Sequence, residues 1–327
     1  MPYLLIAAGI TLLLVGGTLM VRGATGIAQS FKVSPMIIGL TVVAFGTSAP
    51  ELMINITGAL QGETELAFGN AVGSNLANFG LVLGLAALLS PIYLQGQVVR
   101  REVPFLLLVT AILMVMVADA TLSNTSPLLS RGDAIILFLL FTIFIYFLIR
   151  DVINEQEDPV LREAVASLGP DGAQPRSRAA MFGFSAELLV GIVMLTYGGQ
   201  MTIEQGAIIA HLHALPEVVV GIFIVAVGTS LPELATSAIA AYRKETDLAL
   251  GNIVGSNIFN SLVVLPAAAI IQPLPIPAGG AIDLAVAFLF VLVLIPLFLY
   301  SNARIGRKAG FALVAVYVGY LVYRVAG

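Results

Sequence analysis

Apolar runs of roughly 20 residues follow one another along the chain, separated by short polar breaks. They fall near 3–21, 35–60, 65–89, 103–120, 132–149, 181–201, 216–241, 247–271, 281–300 and 308–325. Each is long enough to cross a hydrocarbon core of about 30 Å as a helix. The pattern predicts an all-α polytopic membrane protein with ten transmembrane helices. Composition agrees: 59% of the 327 residues are hydrophobic and 10% are charged, against about 25% charged in soluble domains. The mean hydropathy is +1.01.

One long hydrophilic stretch interrupts the runs. Residues 151–180 form a linker rich in Glu, Pro and Gly, between a first block at 1–150 and a second at 181–327. With the N-terminus placed outside, 13 of the 15 Lys and Arg residues fall on the linker's side of the membrane, leaving Arg131 and Arg324 on the other. Cytoplasmic loops carry such an excess, so both termini are expected outside and the linker inside. Tyr3 to Met20 lacks a basic lead and reads as a first membrane helix, not a cleaved signal. The net charge of −4 singles out no partner, and zero cysteines exclude disulfides and thiolate chemistry. The bilayer is the expected surrounding, with no nucleic-acid or obligatory protein partner and no cofactor.

Polar cargo inside two of the runs changes the picture. GTSAPE at residues 46–51 returns as GTSLPE at 228–233, and GNAVGSNLAN at 69–78 returns as GNIVGSNIFN at 251–260. The two copies align without gaps over about 39–84 and 221–266. Each half holds five spans, an odd number, so the copies enter the membrane from opposite sides. Inverted repeats with interrupted helices mark secondary transporters, whose sites lie near the midplane. Helices 2 and 7 are the expected broken ones.

Pro50 and Pro232 have no N–H to give the carbonyls of Gly46 and Gly228. Freed carbonyls around Ala44–Gly46 and Ala226–Gly228 need a protein, water or ion partner in a bilayer. Thr47 and Ser48 lie one turn before Glu51, and Thr229 and Ser230 one turn before Glu233. Together the copies offer two carboxylates and many neutral oxygens, a set suited to Ca²⁺, which takes 6–8 oxygens. Hydroxyls in membrane helices also bond back to the i−4 carbonyl, and a proline kink can be purely structural. The two glutamates are less easily dismissed, because an ionisable group at membrane depth costs about 2.5–3.5 kcal/mol or more.

Asn70, Ser74 and Asn78 form one polar stripe, and Asn252, Ser256 and Asn260 another. Such amides also serve as glue between helices. Ser74, Asn78, Ser256 and Asn260 are expected to complete the site, with Asn70, Asn75, Asn252 and Asn257 serving packing or access. His211, His213, Glu187, Asp119, Asp133, Asp283 and the acidic turns Glu63, Glu65, Glu245 and Asp247 lie near span ends and are expected to meet water or interface.

The paired GTSxPE and GNxxGSN motifs resemble the two alpha-repeats of the Ca²⁺:cation antiporter superfamily, and among its members the prokaryotic Na⁺/Ca²⁺ exchangers and their bacterial inner-membrane relatives, which implies a plasma (bacterial inner) membrane. The resemblance implies that Glu51 and Glu233 are central acidic ligands shared by Ca²⁺ and the exchanged ion. It implies hydroxyl or carbonyl oxygens from Thr47, Ser48, Thr229 and Ser230, and backbone carbonyls from Ala44 and Ala226. Ser74 and Ser256 would line flanking Na⁺ sites, with Asn78 and Asn260 near the centre. Many relatives carry aspartate at one of these last two positions; asparagine at both leaves one acid fewer. The expected function is Ca²⁺/Na⁺ antiport by alternating access, with Ca²⁺/H⁺ antiport through the same glutamates as the alternative and a cation channel as the remoter one. No HExxH motif or cysteine nucleophile is present, so no enzyme is expected.

Overall fold

The computed structural model describes residues 1–93, 98–123, 127–157, 178–213, 228–300 and 304–326. In chain order its helices are α1 (Pro2–Phe31), α2 (Pro35–Thr47) and α3 (Ala49–Gln61), α4 (Thr64–Leu89), α5 (Val103–Ser123), α6 (Arg131–Glu157) and α7 (Arg178–Leu212). There follow α8 (Leu231–Tyr242), α9 (Thr246–Ile271), α10 (Gly280–Tyr300) and α11 (Arg307–Ala326). Among the described residues seven helices are long and apolar enough to cross a membrane, or eight if the bent pair α2–α3 is one span. The expected spans at 216–241 and 308–325 are not among them. Residues 214–227 lie outside the described ones, and α11 carries Arg307, Lys308 and Arg324 at its ends.

Several helices outrun their apolar stretch: α1 continues to Phe31 and α6 to Glu157. Hydropathy marks membrane depth, whereas a helix ends only where its backbone ladder is broken. For α1 that break is Lys32, held left-handed at φ 55°. The rest of the linker, 158–177, lies outside the described residues.

Packing follows from small residues. A Cβ on Gly9 would sit 3.0 Å from the Gly198 carbonyl oxygen, and one on Gly16 would sit 3.0 Å from that of Gly191. Gly23 meets the Phe184 carbonyl oxygen at 2.6 Å in the same sense. Rising numbers on α1 thus meet falling numbers on α7, so the two helices lie antiparallel in close backbone contact, as small-residue interfaces in membranes allow. α4 and α9 also cross antiparallel: Asn75 Nδ2 donates to Ser261 Oγ (2.9 Å) and Asn78 Nδ2 to Asn257 Oδ1 (3.3 Å).

The helix ends are tied down twice over. β1 (Ile92–Tyr93) pairs antiparallel with β4 (Arg304–Ile305), and β2 (Leu128–Leu129) with β3 (Leu274–Pro275). Arg131 donates to the carbonyls of Ile270 and Ile271 at 3.0 Å, capping α9, while Arg307 donates to that of Leu88 at 3.1 Å, capping α4. A cation at a helix C-terminus satisfies bare carbonyls and complements the dipole. Arg101 bridges Glu102 and Asp151 between α5 and α6, and Arg324 holds Asp283 at 3.0 Å between α11 and α10. Asp133 accepts from Ser130 at the start of α6, and Glu187 pairs with Arg22 across α1 and α7 at 3.4 Å. Glu102, Asp133 and Asp283 thus have partners at or beside helix starts, and Asp151 and Glu187 within α6 and α7. The side chain of Asp119 lies outside the described residues.

Candidate ion-binding site

Helix α2 stops at Ser48, whose backbone leaves the helical region at φ −88°, ψ 6°, and α3 resumes with Pro50 in its first turn. The two segments are bent by 43°. In the second copy Ser230 takes nearly the same conformation, φ −87°, ψ 9°, ahead of α8. The proline thus becomes a helix start, where a missing N–H costs nothing. It also puts Glu51 and Glu233 in the first turn of α3 and α8, at the N-terminal end that favours negative charge.

Both glutamates are 0% exposed, as are Ser48, Asn78, Ser256 and Asn260. Thr47, Thr229, Ser230 and Ser74 are buried with them. The contacts run between the two copies. Ser48 Oγ donates to Glu233 Oε1 (3.0 Å), and Thr47 Oγ1 donates to Asn252 Oδ1 (3.1 Å) and lies 3.4 Å from Ser256 Oγ. Ser74 Oγ and Thr229 Oγ1 are 3.1 Å apart. Glu51 has Ser74 and the Glu233 carboxylate as electrostatic neighbours. Asn78 and Asn260 stand one turn beyond Ser74 and Ser256, each as the first residue of a π-helical turn, Asn78–Val82 and Asn260–Val264. Wide turns of this kind recur at functional sites.

The decisive feature is what is left bare. Both Glu51 carboxylate oxygens, Glu233 Oε2, Ser230 Oγ, Asn78 Oδ1 and Asn260 Oδ1 are buried without a hydrogen-bond partner among the described residues. An unpaired buried polar group costs about 1–3 kcal/mol, more when charged, so so many in one region need a reason. A hard cation is one, because it takes oxygen ligands from carboxylates, amides and hydroxyls. Among the described residues no group of three or more His, Cys, Asp or Glu could hold a metal. Among the described residues, two carboxylates with neutral oxygens are the acidic supply of the cluster.

Two expectations for backbone carbonyls change. The Ala44 carbonyl is not bare, since it accepts from Ser48 N (3.0 Å) and Thr47 Oγ1 (3.3 Å). The Gly228 carbonyl, deprived of a donor by Pro232, accepts from Leu231 N at 3.1 Å in a tighter turn. Ala226 lies outside the described residues.

The amides expected to serve packing or access make specific hydrogen bonds. Asn252 Nδ2 donates to Ser237 Oγ (2.9 Å) while its oxygen receives Thr47. Asn70 Nδ2 donates to Asn55 Oδ1 (2.7 Å), and Asn55 Nδ2 to the Ala67 carbonyl (2.9 Å). Asn55 and Ser237, both fully buried, were missed by motif reading. The signal was there, for each lies four residues beyond its glutamate and so on the same helix face.

Comparison with known proteins places the chain. A family model described as sodium/calcium exchanger protein matches residues 1–150 and 185–326. The chain is 38% identical over 318 residues to a putative antiporter, CaxA, of Alkalimonas amylolytica, covering 96% of each. It is 35% identical to the inner membrane protein YrbG of Escherichia coli, covering 97% of this chain and 94% of the relative. Against the sodium/calcium exchanger MaX1 of Methanosarcina acetivorans it is 29% identical, with 98% and 97% covered. A solved structure of the sodium-calcium exchanger NCX_Mj superposes with a TM-score of 0.82 at 27% identity, covering 98% and 97%. The chain is a multi-pass membrane protein that belongs to the sodium/calcium exchanger family, within the Ca²⁺:cation antiporter superfamily.

Proposed function

We propose that the chain is a secondary active antiporter that exchanges Ca²⁺ for Na⁺ across the membrane by alternating access. The observation that carries this reading is the cluster of bare buried oxygens around Glu51 and Glu233. Two ionised carboxylates match one Ca²⁺ in charge, and the bare amide and hydroxyl oxygens bring the ligand number into the range Ca²⁺ requires. Removing Ca²⁺ leaves two like charges buried near each other, so a second cation must replace it before the empty protein can turn. That requirement couples the two fluxes.

Alternating access needs two pseudo-equivalent halves. Antiparallel crossing of α1 with α7 and of α4 with α9 supports an inverted arrangement of five-helix halves, ten spans in all, since these are the helices that the repeat equates. The carboxylates, the hydroxyls of residues 47, 48, 229, 230, 74 and 256 and the amides of 78 and 260 form the ion pathway in this reading. Sodium as the counter-ion draws support from the relatives named sodium/calcium exchangers. Protons form the second reading, because among the described residues the ionisable groups of the cluster are carboxylates, which a proton neutralises as well as Na⁺ does.

Vesicles reconstituted with the protein separate these readings. ⁴⁵Ca²⁺ uptake is measured with an outward Na⁺ gradient at equal pH, and then with a pH gradient and no Na⁺. Uptake that follows Na⁺ is expected. Uptake that ignores Na⁺ and follows pH moves the assignment to Ca²⁺/H⁺ exchange, and currents far above carrier turnover move it to a channel.

A further inference from the structure

We propose that Asn257 is a positioning residue for ion binding, one that fixes the amide of Asn78 so that its oxygen, not its NH₂, is presented to the cation. This rests on the exchange reading above. A primary amide is a two-faced ligand: its oxygen attracts a cation, and rotation by half a turn puts an N–H dipole there instead. Something must therefore decide which end faces the ion. For Asn78 the decision is visible. Its Nδ2 donates to Asn257 Oδ1 at 3.3 Å, across the α4–α9 crossing, and this leaves Asn78 Oδ1 bare and buried. Asn257 can hold that end only as an acceptor, and its own Nδ2 is spent on nothing among the described residues.

The other copy shows what happens without such a hold. Asn260 corresponds to Asn78 and Asn75 corresponds to Asn257. Neither amide atom of Asn260 has a partner among the described residues, and Asn75 Oδ1, the atom that would orient it, is bare as well. Asn75 Nδ2 instead donates to Ser261 Oγ at 2.9 Å. At the position equivalent to Ser261 the first copy has Phe79, which offers no hydroxyl. Ser261 thus holds the Nδ2 end of Asn75, a contact that Phe79 cannot give Asn257. One ligand amide is oriented in advance and its counterpart is not. Outer partners that orient a metal ligand usually contribute tenfold or more to affinity, and the same logic applies here to a transported ion.

A double-mutant cycle on purified protein in vesicles tests this, reading the half-saturating Ca²⁺ concentration and the maximal rate of ⁴⁵Ca²⁺ uptake separately. Asn257→Ala is expected to raise the half-saturating concentration about tenfold with the maximal rate changed less than about twofold. In an Asn78→Ala background the same change is expected to do nothing further, because residues acting through one another are not additive. Asn75→Ala is expected to shift half-saturation less than about twofold. Asn257→Ser keeps an acceptor and is expected to fall between wild type and Asn257→Ala; it carries the cycle if the alanine variant does not fold. Additive effects in the double variant, or an unchanged half-saturation in Asn257→Ala, overturn the inference while leaving the exchange reading intact. Wild-type vesicles that take up no Ca²⁺ overturn the exchange reading and this inference with it.

Discussion

At the two helix breaks the same residues hold different bonds: Ser48 reaches across to Glu233, whereas Ser230 and Glu51 remain without a hydrogen-bond partner among the described residues. The difference is systematic. Thr47 donates to Asn252, while the equivalent acceptor Asn70 Oδ1 is bare. Asn78 donates to Asn257, while the equivalent Asn75 Oδ1 is bare. Donors of the first copy are thus paired with acceptors of the second, and the acceptors of the first copy are left over. Since the motifs are nearly identical in sequence, chemistry alone does not explain this. The arrangement of the two halves does, and it leaves the buried Glu51 carboxylate, with Ser74 beside it, outside hydrogen-bond geometry with any partner among the described residues. In the inverted, alternating-access arrangement proposed above, the reverse set of bonds is the counterpart in the opposite-facing state.

Substitutions sharpen the contrast. Glu51→Gln and Glu233→Gln are each expected to lower Ca²⁺ flux by at least about 100-fold, the scale of losing one partner of a buried charged pair at about 3–5 kcal/mol; ⁴⁵Ca²⁺ uptake reads it. Their effects on the Ca²⁺-free protein should differ. Glu51→Gln removes an unpaired buried charge and is expected to raise the melting temperature, by about 2 °C for each kcal/mol gained, and Glu233→Gln, whose carboxylate already has Ser48, to raise it less. Equal shifts in thermal unfolding would erase the distinction between the two halves.

The serines should divide in the opposite sense. Ser48→Ala strips a hydrogen bond from Glu233 and is expected to destabilise the Ca²⁺-free protein by about 1–3 kcal/mol. Ser230→Ala breaks no bond there and is expected to cost less than about 0.5 kcal/mol, while weakening Ca²⁺ binding through loss of a bare ligand oxygen. Unfolding and Ca²⁺ titration of both variants check the pair. The smallest contrast lies in the turns after α3 and α8. Gly62 and Lys244 occupy matching left-handed positions, at φ 84° and φ 66°. Lys244→Gly is expected to stabilise by about 0.5–1 kcal/mol, since a side chain is strained there and glycine is not. A loss of stability would show that Lys244 makes a contact worth more than its strain.

Much of this site could be read in the chain. GTSxPE in duplicate gives the break, the carboxylate and the hydroxyls, because a proline and an acid in an apolar run have few bland explanations. The spacing of Asn70, Ser74 and Asn78 gives one face of a helix. What could not be read is which donor meets which acceptor, since Ser48 and Glu233 are 185 residues apart. Nor could spacing show that the Ala44 carbonyl is taken up by Ser48 and Thr47, because that depends on how the chain turns at the break. Asn257 reads as packing or access for the same reason, and the positioning role proposed for it rests on the crossing of α4 and α9.

In the proposed exchange, Glu51 and Glu233 share one cation that Na⁺ displaces. Equilibrium ⁴⁵Ca²⁺ binding to the purified protein, titrated with NaCl at constant ionic strength, tests it most directly. One saturable site that Na⁺ empties is expected, with no measurable site in Glu51→Gln. Ca²⁺ binding of unchanged affinity in Glu51→Gln, equally sensitive to Na⁺, would contradict it.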